Sequence, residues 1–507
     1  MNDFKNKKFY VTTPIYYPNY KLHIGHAYTT TLADYVSRYK KMQGYETMFL
    51  TGSDEHGQKI EDRAKEANED TLKFVTKIIK DFKKLWLKLD IDYDLFIRTT
   101  DETHKEYVKE SFTQLLKKDF IYKSKYSGLY CKSDEAYFTE TQIKENKCPE
   151  CGKELIVMEE ESYFLKISAF KDWIKDELLN SDILKPKHRV NELVNNFVND
   201  LQDLSVTRTS INWGIQINED TSHVIYVWLD ALQNYISALK YPESKFTIEE
   251  VWNKNSEVEL LQLVGKEITR FHCIYWPIIL KMKGYRKPSV LAHGWLISDD
   301  GDKMSKSKGN VVDPLELIKI YGSDEIKFYL VNNIVTGEDG KFSEELLIEM
   351  INGLLVNKYS NLVSRTDAMI KKYCKGIVPE NKINYLPTKN LTIKLEKIRE
   401  DYYQKMDNYE FSNSTKLLIN YVEEINLYID LTKPWKNSGE ELNATLNTLV
   451  KEIFNVTTLL SSVLTTSYKK VYQWLSIKKK PSISLLDKDF KGVKLNKIEH
   501  LFERIKK

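Results

Sequence analysis

Three clusters in this 507-residue chain combine residue types and spacings that can do chemistry. His23-Ile24-Gly25-His26 follows a β-branched and aromatic run, Phe9-Tyr10-Val11-Thr12-Thr13-Pro14-Ile15, and a turn-prone Pro18-Asn19, and it opens a stretch from about Ile24 to Gln43 patterned like a helix. A helix N-terminus offers backbone N–H groups and a positive dipole end, so two imidazoles and a glycine there suit a closely approaching phosphate. The tetrapeptide alone would equally suit a chance pairing of surface histidines. Lys303-Met304-Ser305-Lys306-Ser307 follows the Gly/Asp-rich loop Ser298-Asp299-Asp300-Gly301-Asp302, a mobile arm whose two ammonium groups could neutralise a triphosphate. Cys131-Lys132-Ser133-Asp134 and Cys148-Pro149-Glu150-Cys151 form two pairs, each spaced by two residues and separated by thirteen, which is knuckle-like spacing for tetrahedral zinc. Cys273 and Cys374 stand apart and read as small buried hydrophobes.

The elements that must position these groups follow from periodicity. Glu46-Thr47-Met48-Phe49-Leu50-Thr51 reads as a second strand and about Asp70 to Leu89 as a long helix, so the chain begins as a parallel α/β sheet, which binds ligands at the carboxyl ends of its strands. From about Ile121 to Trp213 a cysteine-bearing, Lys/Glu-rich region interrupts the alternation. Strand-like runs resume at Val224-Ile225-Tyr226-Val227 and Glu259-Leu260-Leu261-Gln262-Leu263-Val264. Beyond about Gly340, helical spacing dominates, as in Leu347, Met350, Ile351, Leu354 and Leu355 and again at Leu417, Leu418 and Tyr421. The expected organisation is a Rossmann-type catalytic domain in two halves, 1–120 and 222–297, split by an insertion at 121–221 with a zinc-knuckle-like element. A lysine-loop junction at 298–345 then leads to an all-α bundle at 346–507.

Composition sets the outer bounds. The 76 basic and 73 acidic side chains leave a net charge of +3, so any nucleic-acid surface must be local. The stretch from 469 to 507 carries twelve Lys or Arg against four Asp or Glu, which could approach phosphates but is more often a plain solvated face. No apolar run approaches the ~18–20 residues of a membrane span, and Met1-Asn2-Asp3-Phe4-Lys5 lacks a secretory pattern, so a cytoplasmic protein without membrane contact is expected.

The histidine tetrapeptide and the lysine pentapeptide, about 280 residues apart and in this order, resemble the paired signatures of class I aminoacyl-tRNA synthetases. The strings Thr13-Pro14-Ile15-Tyr16-Tyr17, Thr51-Gly52-Ser53-Asp54-Glu55-His56-Gly57, Tyr226-Val227-Trp228-Leu229-Asp230-Ala231 and Phe271-His272-Cys273-Ile274-Tyr275-Trp276-Pro277 resemble the methionyl branch of that family over nearly the whole chain. The resemblance implies ATP-dependent activation of L-methionine to the adenylate, then transfer to the terminal adenosine of tRNA(Met) for initiation and elongation. It implies that His23 and His26 hold phosphate oxygens, Gly25 leaves room for the nucleotide, Glu267 and Gly294 contribute to the ATP site, and Lys303 and Lys306 close over pyrophosphate, with Mg2+ bridging phosphates. It also implies that Ile15, Tyr17, Trp228, Ala231, Leu232, Tyr235, Ile268, His272 and Trp276 line the methionine pocket, with Asp54 on the α-ammonium. An unbranched, polarizable thioether suits an aromatic-walled slot and accepts only a weak hydrogen bond, here from Tyr17 or His272. Without the flanking strings, Trp228 and Trp276 would read as core aromatics and His272 as a satisfied buried histidine. Two departures stand out: Glu267 sits where the family often has Asp, and Leu232 where proline is frequent.

In the helical region Asn361 and Arg365 lie four apart on one helix face and Trp435 follows a break at Lys433-Pro434; by resemblance these read the anticodon, an indole stacking on an unpaired base. The same resemblance implies a structural Zn2+ held by Cys131, Asp134, Cys148 and Cys151, although relatives usually carry cysteine in place of Asp134 and some lose the metal. The chain ends without room for the oligonucleotide-binding domain of dimeric relatives, which favours a monomer. Small nucleotidyltransferases would explain His23 to His26 but not Trp435, and a silent RNA-binding scaffold would be expected to carry damaged motifs.

Overall fold

A computed structural model of the chain describes residues 6–131, 136–138, 143, 146–149, 151–297 and 312–506. Its centre is a six-stranded, fully parallel sheet. In chain order the strands of the molecule are β1 (Lys8–Tyr16), β2 (Glu46–Ser53), β3 (Leu95–Arg98), β4 (Ile121–Cys131), β5 (Ala136–Phe138), β6 (Ile156–Leu165), β7 (Leu184–Lys185), β8 (Leu204–Ser205), β9 (Thr207–Arg208), β10 (Val224–Ile225), β11 (Glu259–Gly265), β12 (Ser289–His293), β13 (Leu296–Ile297) and β14 (Gly340–Lys341). The central sheet runs β3-β2-β1-β11-β12-β7, so the strand order reverses at β1, which pairs with β2 on one side and β11 on the other. Such a reversal opens a crevice beyond the strand ends. The register of β1 against β2 shifts between Thr12 and Ile15, where Pro14 can donate no ladder hydrogen bond.

Helix α1 (Ile24–Gln43) crosses from β1 to β2 and is buried on most of its surface. One face covers the sheet through Ile24, Tyr28 and Leu32, while Tyr35 and Tyr39 reach the C-terminal helices, where Tyr35 Oη lies 3.0 Å from Ser414 Oγ and Tyr39 Oη donates to Asp407 at 3.2 Å. Gly44 ends the helix at φ 100°, a left-handed cap in which glycine avoids a Cβ clash. Helices α2 (Gln58–Glu66), α3 (Thr71–Lys88) and α4 (Glu102–Lys117) follow, α3 burying Val75, Ile79, Phe82, Leu85 and Trp86 along one stripe.

Between α4 and β11 the chain builds a four-stranded antiparallel sheet, β5-β4-β6-β8, and returns to the central sheet through β7, within the 121–221 stretch. The expected strand Val224-Ile225-Tyr226-Val227 is corrected: of these four residues only Val224 and Ile225 form a strand, paired antiparallel with β9 outside the parallel sheet. Tyr226 is then the N-cap of the five-residue helix Val227–Ala231, because this apolar run is buried as helix rather than as sheet.

The helical region packs Leu386–Asp407, Phe411–Thr432 and Gly439–Leu460 side by side, and its apolar core is continuous with that of α1. A buried carboxylate fastens the junction. Asp324 accepts from the backbone and hydroxyl of both Thr466 and Ser467, at 2.7 to 3.2 Å, with Lys327 at 3.6 Å.

Candidate active site

A cavity of about 480 Å3 lies in the crevice at the carboxyl ends of β1, β2, β11 and β12. That volume is in the range of small-ligand sites. His23 is the N-cap of α1: its Nδ1 accepts the Gly25 N–H at 3.1 Å, and His26 Nδ1 accepts the His23 N–H at 3.1 Å, a reciprocal box with histidine in both places. Because both Nδ1 atoms accept, each neutral ring carries its proton on Nε2. Two N–H donors are thereby fixed at the positive end of a helix that lines the cavity.

Opposite them, the segment after β2 is clamped on both sides of Asp54, whose own backbone N–H donates to Tyr16 C=O at 3.0 Å. Glu55 is fully buried and takes two hydrogen bonds from Arg98, at 2.7 and 2.9 Å, one from Thr100 at 2.6 Å and one from Ser53 at 2.5 Å. Trp213 donates to Glu55 C=O at 2.5 Å and accepts from Gly57 N–H at 3.1 Å. His56 donates from Nδ1 to Asp230 at 2.6 Å, and the other Asp230 oxygen meets His104 Nε2 at 2.7 Å, with His104 Nδ1 2.7 Å from Ser237 Oγ. Burial opposes the Asp230 charge, yet the imidazoles of His56 and His104 hold its carboxyl below the ordinary carboxylate range.

Asp230 sits in the helix Val227–Ala231, between two cavity residues. Trp228 stacks on Phe271 with centroids 3.5 Å apart and planes 7° off parallel. Ala231, Leu232 and Tyr235 continue that wall, and Ile15, Tyr17 and Ile268 face it. His272 lies on a wide π-type turn, Phe271–Tyr275. Its Nδ1–H donates to Ile268 C=O at 3.0 Å, so Nε2 accepts the Tyr235 hydroxyl proton at 2.8 Å. Burial pushes the imidazole down to about 4, so it is neutral at neutral pH. Trp276 stands one layer back: it is fully buried, packs on Tyr235 and Trp252 at 6.1 and 5.7 Å, and does not line the cavity.

The other end of the cavity is closed by Glu267 and Gly294 together with Trp295, His293, Lys266 and Asp339, four residues that sequence reading did not single out. Glu267 lines the cavity and accepts from Trp295 Nε1 at 2.8 Å, while Lys266 lies 4.0 Å over the same indole and pairs with Asp339 at 2.6 Å. Gly294 is required by contact, since a Cβ there would lie 2.2 Å from Glu338 C=O. His293, kept neutral by burial, donates to Gly294 C=O at 2.7 Å and accepts from Thr29 Oγ at 2.7 Å, tying α1 to that loop. Lys303 and Lys306 lie outside the described residues, as does Asp134.

In the insertion the sulfurs of Cys131, Cys148 and Cys151 lie within 4.8 Å of one another, with Cys131 and Cys151 3.5 Å apart. Sulfurs around tetrahedral zinc at about 2.3 Å stand ~3.8 Å apart, so the three fit such a site. Among the described residues, Cys131, Cys148 and Leu155 form a small local core with Leu129 and Ile143 packed against it, and a metal cross-link would reinforce a core of that size. In the helical region Asn361 and Arg365 are exposed one turn apart, Arg365 reaches Asp430 at 3.5 Å, and Trp435 is 48% exposed just past the end of the helix Phe411–Thr432, which also exposes Leu427 and Leu431.

Comparison with known proteins agrees with this geometry. The family model described as "tRNA synthetases class I (M)" matches residues 9–156 and 151–367. The methionine--tRNA ligase of Mycoplasmopsis pulmonis is 45% identical, covering 99% of both chains, and that of Clostridium tetani is 41% identical over 99% of this chain and 79% of its own. The Mycobacterium tuberculosis methionyl-tRNA synthetase in complex with methionyl-adenylate superposes with a TM-score of 0.92 at 32% identity, covering 98% of this chain and all of the other. Its apo form gives 0.86 at 29% identity, covering 99% of each. With the histidine-capped helix, the aromatic slot and the helical domain all accounted for, the chain belongs to the methionine--tRNA ligase family of class I tRNA synthetases.

Proposed function

We infer that the chain activates L-methionine with ATP and charges tRNA(Met). The observation that carries this is one cavity joining a phosphate-type helix N-terminus to an apolar aromatic slot with Asp54 between them. In the first step a methionine carboxylate oxygen attacks the α-phosphorus as the bond to pyrophosphate breaks. In the second a hydroxyl of the terminal adenosine attacks the carbonyl carbon and AMP departs. The chain needs no covalent nucleophile; it positions the reactants and stabilises charge. His23 and His26 take phosphate oxygens through Nε2–H, Glu267 and Gly294 bound the nucleotide, and Lys303 and Lys306 neutralise pyrophosphate with Mg2+. Asp54 takes the α-ammonium, and the thioether lies between Trp228 and the Tyr235–His272 pair, with Trp276 supporting Tyr235 from behind.

We assign the anticodon contact to Asn361, Arg365 and Trp435, and a structural Zn2+ to Cys131, Cys148 and Cys151 with Asp134 as the fourth ligand. Zinc there would fasten the insertion and takes no part in either step. None of the described cysteines is in a disulfide, which suits work in the reducing cytoplasm.

ATP–pyrophosphate exchange with each of the twenty amino acids tests the reading. Exchange with methionine alone, cut at least ~100-fold by Lys303→Ala, is expected. Exchange with a different amino acid would remove the pocket assignment. Trp435→Ala should raise KM for tRNA by roughly 10- to 100-fold while leaving exchange intact, as loss of one base stack predicts.

A further inference from the structure

Away from the cavity and the cysteine cluster, three ligand-type side chains converge where the insertion meets the catalytic domain. Glu161 lies on β6, while Asp220 and His223 lie in the turn that enters β10. One ligand atom from each falls within 4.8 Å of the other two, and His223 Nε2 is 3.7 Å from both Glu161 Oε1 and Asp220 Oδ2.

Two of the three ligands are aimed by a second contact. Asp220 Oδ1 accepts from Ser222 N–H at 3.2 Å and Ser222 Oγ–H at 2.6 Å, which turns Oδ2 inward. His223 Nδ1 lies 2.9 Å from Thr207 Oγ, and the ring packs edge-on against Tyr163 at 5.0 Å. Imidazoles that bind metals are oriented in this way, through the nitrogen that does not bind.

Lys123 occupies the open side, its ammonium 2.7 Å from Glu161 Oε1 and 3.0 Å from Asp220 Oδ2, and as a plain ion pair it accounts for both carboxylates. It does not account for the histidine. His223 is 1% exposed at its side chain, and its Nε2 is buried with no hydrogen-bond partner, which leaves a desolvated polar atom uncompensated. A cation coordinated by all three groups removes that deficit.

We propose that Glu161, Asp220 and His223 form a binding site for a first-row divalent metal ion, with Lys123 as the side chain the ion displaces. One imidazole nitrogen and two carboxylate oxygens suit Mn2+, Co2+ or Zn2+ and leave positions for water. Ligands at about 2.1 Å from an ion stand ~3.0–3.4 Å apart, so the histidine and the carboxylates need to close by only a few tenths of an ångström. Entry is from the solvent side, since Glu161 is 46% and Asp220 26% exposed at their side chains. A bound ion would join β6, in the insertion sheet, to the segment that leads directly into the Val227–Ala231 wall of the cavity.

Mn2+ is the probe, because it prefers oxygen and nitrogen over the thiolates of the cysteine cluster. Titration of the full chain without nucleotide, followed by the electron paramagnetic resonance signal of free Mn2+, should show one site that is weakened at least tenfold in His223→Gln and in Glu161→Gln/Asp220→Asn. Cys131→Ser/Cys148→Ser should leave it unchanged, and Lys123→Met, which keeps every ligand and removes the competing ammonium, should tighten it severalfold. Histidine hyperfine coupling on bound Mn2+, absent in His223→Gln, is the matching spectroscopic signature. Absence of binding in both the wild type and Lys123→Met overturns the proposal. So does binding in Lys123→Met alone, which would make the lysine the native occupant, and so does wild-type binding indifferent to the His223 and carboxylate changes.

Discussion

Single side chains carry two sharp expectations. Asp54 places a carboxylate on the cavity wall beside a rigidly held Glu55, so a charged ligand amine meets a partner already in position. Asp54→Asn should lower kcat/KM for methionine in the exchange reaction by about 100-fold, which is ~2.7 kcal/mol, with a much smaller effect on KM for ATP. A change confined to ATP would move the ammonium site elsewhere. His272 gives a pH signature of stability. Its folded value near 4 lies below the ordinary 6.5, so between those values the unfolded chain binds more protons than the folded one. The contribution of His272 is therefore complete above pH 6.5 and declines as pH falls towards 4, by about 3 kcal/mol in all. Urea midpoints measured from pH 7 to 4.5 should fall less steeply in His272→Gln than in the wild type.

At the level of elements, the cavity depends on how the Val227–Ala231 helix is held against the segment after β2. Asp230 links them by taking hydrogen bonds from His56 on one element and His104 on another. His104→Gln leaves a buried carboxylate with half its partners, a loss of a few kcal/mol if uncompensated. The expected outcome is a methionine KM raised about tenfold with KM for ATP nearly unchanged, since the wall that shifts carries Trp228 and Ala231 rather than the histidine-capped helix. Equal shifts in both constants would point to general unfolding instead. The sequence displayed the α1 capping residues and the long apolar stripes plainly, because they are local in the chain. It did not display the Asp230 link, whose partners lie 174 and 126 residues away.

Across the whole molecule, one carboxylate couples the catalytic and helical regions. Asp324 satisfies four donors at Thr466 and Ser467 and faces the buried Lys327. Asp324→Ala should destabilise the protein by about 3–5 kcal/mol, because it strands a buried cation as well as removing hydrogen bonds. Thermal unfolding checks the magnitude, and a melting temperature unchanged within a degree would refute it. If the regions loosen without melting, aminoacylation should fall more than pyrophosphate exchange, since under the proposed anticodon contact only the former needs Trp435 and the cavity held at a fixed separation.

The sequence by itself determined the elements whose signal is local: the first strand, α1 with its two histidines, the second strand, the long helix after it and the helical character of the C-terminal region. It also determined the kind of cavity wall, because a proline-bearing strand end and aromatic strings declare their side chains wherever they fold. Only tertiary structure decided that the run from Val224 leaves the strand after Ile225 and continues as the helix Val227–Ala231 instead of joining the parallel sheet, since an apolar run of that length can be buried either way. It decided equally that Trp276 supports the slot from behind while Trp228 lines it, and that Trp295, His293 and Trp213 hold the loops around them. Those assignments rest on distances between residues far apart in the chain, which residue type and spacing do not encode.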